Sequence, residues 1–159
     1  MKRITLILIA AMAVLMPLSQ ISFAEAPQQA PGFSLADINN NVFELSSYIG
    51  KQGVLLFFWT SWCPFCRQQL KVINDKYPGF SQGGPAVLGI NAGEPAEKVG
   101  RFLKRYPLKY PVLIDESLKV AMEYHVVGVP TYVLIDKKGD IIYLDNYFPP
   151  EEMLKEITK

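Results

Sequence analysis

Val54-Leu55-Leu56-Phe57-Phe58-Trp59-Thr60-Ser61-Trp62-Cys63-Pro64-Phe65-Cys66-Arg67 places six apolar residues in a row ahead of the only two cysteines in the chain. An unbroken apolar run of this length, opening after Gly53, reads as a β-strand buried on both faces. Beyond Pro64 the periodicity changes. Phe65, Gln69/Leu70, Ile73 and Tyr77 recur at steps of three or four, a helical pattern that Pro78-Gly79 should stop. Cys63 therefore falls at the start of a helix, where unsatisfied backbone N–H groups and the positive end of the helix dipole stabilise a thiolate. Cys66, one turn further on, lies beneath it on the same face. That spacing assigns Cys63 as nucleophile and Cys66 as the resolving thiol that breaks a mixed disulfide. As a structural staple the pair makes little sense, because a loop of two residues removes little entropy from the unfolded chain.

Working outward, residues 86–90 read as a second buried strand and Glu94-Pro95-Ala96-Glu97 as a helix start, with Val99, Phe102, Leu103 and Tyr106 as the inner face. A short strand over 111–114 and a short helix over 117–124 follow. Residues 131–135 and 141–144 are strands around the turn Asp136-Lys137-Lys138-Gly139-Asp140, and Pro149-Pro150-Glu151-Glu152 opens a last helix. Ahead of the main run, 33–35 and 42–45 form a small hairpin around Asn39-Asn40-Asn41, followed by a helical turn at Ser46-Ser47. Alternating strands and helices give an α/β fold, a central mixed sheet with helices on both faces, whose first two long strands are parallel.

At the N-terminus, Met1-Lys2-Arg3 precedes an apolar run over residues 4–16 in which Thr5 is the only polar residue. Ser22-Phe23-Ala24 places small residues where a signal peptidase reads. Residues 1–24 are thus expected to be a signal peptide cleaved before Glu25, or alternatively an N-terminal anchor in the membrane. Either reading exports the domain to the periplasm or the outer face of the membrane. Residues 25–32 read as a flexible, proline-containing leader, and 33–159 as one domain large enough to build its own core. With 16 basic and 15 acidic residues in the whole chain, no nucleic-acid-binding surface is indicated.

These motifs resemble the exported TlpA/ResA-like thiol-disulfide oxidoreductases, which have a thioredoxin-like fold. The resemblance spans residues 30–158 and rests on five segments. They are Pro31-Gly32-Phe33-Ser34-Leu35, the strand with Trp59 to Arg67, Leu88-Gly89-Ile90-Asn91-Ala92-Gly93, Gly128-Val129-Pro130-Thr131, and Val133-Leu134-Ile135-Asp136. The resemblance implies a redox-active Cys63–Cys66 disulfide with no other cofactor and a cis peptide before Pro130. It also implies that the Val129 backbone pairs with a bound peptide. Trp62, Pro64, Phe65, Val129 and Pro130 are then the expected substrate contacts. Implied partners are exported proteins carrying disulfides or thiols and a membrane thiol-disulfide carrier. The direction is expected to be reductive, possible substrates including apocytochrome c in cytochrome maturation.

Two departures stand out. Phe57 occupies the position where thioredoxins carry a buried aspartate, and Gln69 the position of a glutamate in the cytochrome-maturation members. Proton transfer to and from Cys66 is therefore expected to use water or a more distant group, with Glu94 the candidate. Pro64-Phe65 matches neither the dipeptide of reducing thioredoxins nor that of strong oxidants, so direction stays open between reductase and oxidase.

Other uses of two cysteines fit less well. A zinc site wants four ligands, and His125 is the only histidine. Copper chaperones of this fold use a CxxxC spacing that is absent here, although soft thiolates do favour Cu(I). A thiol peroxidase would share Thr60-Ser61-Trp62-Cys63, but the proline that peroxiredoxins place four residues before the threonine is Leu56.

Overall fold

The computed structural model describes residues 28–157. The segments read as signal peptide or anchor and as the start of the leader lie outside them, and among the described residues no helix is long and apolar enough to cross a membrane. The elements are β1 (Gln28–Gln29), β2 (Ser34–Ala36), β3 (Val42–Glu44), β4 (Val54–Trp59), α1 (Pro64–Phe80), β5 (Ala86–Ala92), α2 (Ala96–Arg105), β6 (Val112–Asp115), α3 (Lys119–Glu123), β7 (Thr131–Ile135), β8 (Asp140–Asp145) and α4 (Glu151–Glu156). A single 3-10 turn, Leu45–Ser47, sits where the helical turn was expected.

Six strands form a sheet in the order β1-β8-β7-β4-β5-β6, with β2 and β3 as a separate hairpin. The central strand β4 runs parallel to β5 and antiparallel to β7. All six of its residues are buried because each face of the sheet is covered. Leu55, Phe57 and Trp59 enter one apolar layer with Leu70 and Ile73 of α1, Val99 of α2 and Leu154 of α4. Val54, Leu56 and Phe58 enter the other, with Val120 and Ala121 of α3 and with Phe33 and Leu45 from the hairpin region. The period-two alternation of a strand thus feeds two cores at once, which is why the run contains no polar residue.

The structure corrects the sequence reading at four places. The leader is not loose throughout, since Gln28–Gln29 pair with Ile141 and Asp140 as an edge strand and Ala30 N–H donates to Gly139 O at 2.8 Å. Helix α1 does not stop at Pro78. Proline forfeits only its own bond to the carbonyl four residues back, and the helix continues to Phe80, where Ser81 caps it. Strand β5 extends two residues past the apolar stretch to Ala92, taking Asn91 into the sheet. Tyr106 lies outside the inner face of α2, 52% exposed, and stacks on Phe102 instead.

Burial on both faces has a measurable consequence. Leu55→Ala and Leu56→Ala, neighbours that point into opposite layers, should each cost about 2–5 kcal/mol in urea unfolding. A small loss for either one would show that its layer is not packed.

Candidate active site

The site is assembled where three neighbouring strands meet one edge of the sheet. The register pairs Trp59 with Asn91 and Phe58 with Thr131, so the C-terminal ends of β4 and β5 and the start of β7 come together. The loop leaving β4 delivers Cys63 as the N-cap of α1, with Pro64 in the first helical turn, where its missing N–H is not needed. The Cys66 N–H points back to Cys63 Sγ at 3.1 Å, a backbone donor placed to stabilise negative charge on that sulfur. The two cysteines are joined as a disulfide with a Cα–Cα separation of 5.2 Å. Cys66 is fully buried and Cys63 is 4% exposed. Cys63 is thus the one of the two nearer solvent.

Each of the other residues singled out in the sequence has a definite place. Trp62 and Phe65 stand out from the surface at 63% and 70% exposure, on either side of Cys63-Pro64, with Pro64 exposed between them. Across from the dithiol, the Val129-Pro130 peptide is cis, and the Val129 carbonyl lies 3.7 Å from Cys63 Sγ. Val127, just upstream in the same loop, is 99% exposed. His125 is exposed at the end of α3 with φ 54°. Arg67 is exposed and spends its Nε on Ser61 O at 3.2 Å, bracing the loop before the cysteines.

Glu94 is buried, and it is committed elsewhere than the cysteines. Its carboxylate accepts from the Ser61 N–H at 2.6 Å, the Ser61 hydroxyl at 2.7 Å and the Asn91 side-chain amide at 2.8 Å, and pairs with Lys98 at 2.7 Å. Burial pushes its pKa up, but the Lys98 ammonium and the Ser61 and Asn91 donors outweigh burial and hold it below the ordinary carboxylate value. A carboxylate kept ionised by this many donors is a poor proton acceptor. Its geometry is that of an anchor tying the end of β5 to the loop that carries Trp62 and Cys63. Ser61 and Asn91 had not been singled out in the sequence. The signal available there was an asparagine following a run of buried apolar residues.

Phe57 and Tyr132 belong to the same apolar layer as both cysteines. Phe57 stacks on the Tyr132 ring with centroids 4.8 Å apart, and the Tyr132 hydroxyl donates to Gln69 Oε1 at 2.9 Å. Burial, reinforced by nearby Tyr143, pushes the Tyr132 phenol far above its ordinary value, so the pair carries no charge at any working pH. The two sequence departures therefore meet on a single tyrosine, which fills the space between them.

A strand-to-helix dithiol facing a cis-proline loop on this sheet defines a thioredoxin-fold thiol-disulfide oxidoreductase. The AhpC/TSA family model matches residues 26–144. Among curated proteins, the thiol-disulfide oxidoreductase ResA of Bacillus thuringiensis subsp. konkukian is 35% identical over 135 residues, 85% of this chain and 78% of that protein. Among solved structures, StoA from Bacillus subtilis superposes with a TM-score of 0.68 at 27% identity, covering 84% of this chain and all of that one. The exposed lipoprotein thioredoxin Etrx1 from Streptococcus pneumoniae superposes with a TM-score of 0.69 at 28% identity, over 80% of this chain and 98% of that one. The chain belongs to the AhpC/TSA family and, within it, to the ResA/TlpA-like thiol-disulfide oxidoreductases.

The anchoring geometry of Glu94 predicts how stability depends on pH. A carboxylate whose folded pKa is depressed stabilises the fold above its unfolded pKa, near 4.5, and that contribution is lost as pH falls through the folded value. Glu94→Gln should therefore cost about 1–2 kcal/mol at pH 7 by urea unfolding, with the gap to wild type closing below about pH 4.5. A gap that persists unchanged into strong acid would mean that the carboxylate charge is not what holds the loop.

Proposed function

We propose that this protein is an exported reductant of protein disulfides, using the Cys63–Cys66 pair as its only redox group. The observation that carries this reading is the setting of Cys63 Sγ. It has the Cys66 N–H on one side and the Val129 backbone on the other. Among the described residues no hydrogen bond within the chain engages the Val129 N–H, and the Val129 carbonyl meets only Cys63. An extended substrate segment can fill those two positions by β-pairing, which brings its disulfide onto the nucleophile.

In the reduced state the Cys63 thiolate attacks one sulfur of the substrate disulfide, forming a mixed disulfide and releasing the other sulfur as a thiolate. Cys66 then gives its proton to water, and its thiolate attacks Cys63 Sγ. The Cys63–Cys66 disulfide forms and the second substrate sulfur leaves. Two electrons have moved from the protein to the substrate, and the released thiolates take up two protons. Returning the pair to the dithiol requires an external two-electron donor. In an exported compartment that donor is a thiol-disulfide carrier of the membrane.

Export is supported by the charged and then apolar start of the chain, read either as a cleaved signal or as an anchor. The substrates are exported proteins with disulfides. Apocytochrome c belongs to this class, and the glutamine at Gln69 favours a broader reductant over one dedicated to cytochrome maturation.

Two single substitutions test the mechanism. With disulfide-containing protein substrates, Cys66→Ala should accumulate a mixed disulfide at Cys63, visible by mass spectrometry, whereas Cys63→Ala should accumulate none. Trapping by Cys63→Ala alone would reverse the assignment of nucleophile and resolving thiol.

A further inference from the structure

The cis-proline loop is held by a residue from a distant part of the chain. The Asn146 side-chain amide, in the loop between β8 and α4, donates to Pro130 O at 2.6 Å and to Thr131 Oγ1 at 3.0 Å. The Thr131 hydroxyl in turn donates to Gly128 O at 2.6 Å. Of three consecutive carbonyls, those of Gly128 and Pro130 are thus tied down, and the one between them, Val129, faces Cys63 Sγ. Asn146 is itself fixed in place. Asp145 Oδ1 accepts from the N–H groups of Asn146 and Tyr147 at 2.6 and 3.3 Å, and the Tyr143 hydroxyl donates to Tyr147 O at 3.0 Å. Phe148, two residues on, packs edge-on against Tyr132 with centroids 5.5 Å apart.

Asn146 is solvent-exposed, so its contribution to core packing is small. Its two hydrogen bonds nevertheless reach back sixteen and fifteen residues to the peptide that borders the dithiol. A backbone edge that pairs with a substrate strand must hold its N–H and C=O in fixed directions, or the ordering cost falls on binding.

We propose that Asn146 is a positioning residue for substrate engagement, holding the cis-proline loop so that the Val129 backbone is presented to an extended polypeptide beside Cys63. This rests on the reading of the protein as a reductant of protein disulfides. It acts on pairing with the polypeptide and leaves the thiol chemistry alone, so its effect should depend on whether the substrate has a backbone to pair.

The test compares two oxidants of the pre-reduced, full-length protein: a peptide with an internal disulfide, and hydroxyethyl disulfide, which is too small to pair with the loop. Asn146→Ala should lower the second-order rate constant for the peptide by about fivefold to tenfold, the order of one or two lost hydrogen bonds, with the rate for hydroxyethyl disulfide within about twofold of wild type. Asn146→Asp, equal in size but without the amide donor, should behave like the alanine variant. Both variants should keep the wild-type equilibrium constant with glutathione. Equal losses toward both oxidants, or none toward the peptide, would overturn the positioning role. A wild-type protein that reduces hydroxyethyl disulfide but not the peptide would overturn the underlying reading as well. Wild-type activity on the peptide that both variants retain would overturn the role of Asn146 alone.

Discussion

The burial of β4 between two apolar layers is the constraint on which the active site rests. A strand packed on both faces cannot slide or turn without emptying one layer into water, so its C-terminal end is a fixed point. Cys63 lies four residues beyond that end, and the loop between is pinned by Glu94 from the end of β5 and by Arg67 from α1. The cis-proline loop arrives from β7, the strand on the other side of β4 in the sheet. Cys63, the Glu94 anchor and the cis-proline loop therefore come from three adjacent strands, and their spacing is inherited from the strand spacing of the sheet.

The electrostatics of the site follow from this arrangement. Phe57 and Tyr132 share the apolar layer that holds both cysteines, with Gln69 bonded to the Tyr132 hydroxyl, and the ionised carboxylate of Glu94 is turned toward Ser61, Asn91 and Lys98. The start of α1 and the Cys66 N–H are placed to stabilise negative charge on Cys63 Sγ.

Much of this was legible in the sequence because the decisive signals are local. Residues 54–59 announce a two-face-buried strand by composition alone, and the change of period after Pro64 announces the helix that carries the cysteines. What was not legible depends on contacts between distant segments. Gln28–Gln29 has no apolar pattern, since an edge strand held by backbone pairing to β8 needs none. Pro78 suggested a helix end because local propensity disfavours it, yet packing of α1 on the sheet carries the helix past it. Glu94 was read as a proton-transfer group, but its partners decide its task, and Ser61 lies thirty-three residues away. Asn146 gave no signal at all, because an exposed polar residue in a loop looks the same whether or not it reaches another loop.

The reduction potential of the Cys63–Cys66 pair tests the central claim most directly. It can be followed in the purified protein by tryptophan fluorescence across thiol-disulfide buffers, with Trp62 beside the nucleophile and Trp59 buried below as reporters. A reversible two-electron couple at or below about −220 mV is what a reductant fed by a membrane carrier requires. A value above about −150 mV would make the protein an oxidant or isomerase, and the absence of a reversible couple would contradict thiol-disulfide exchange as its chemistry.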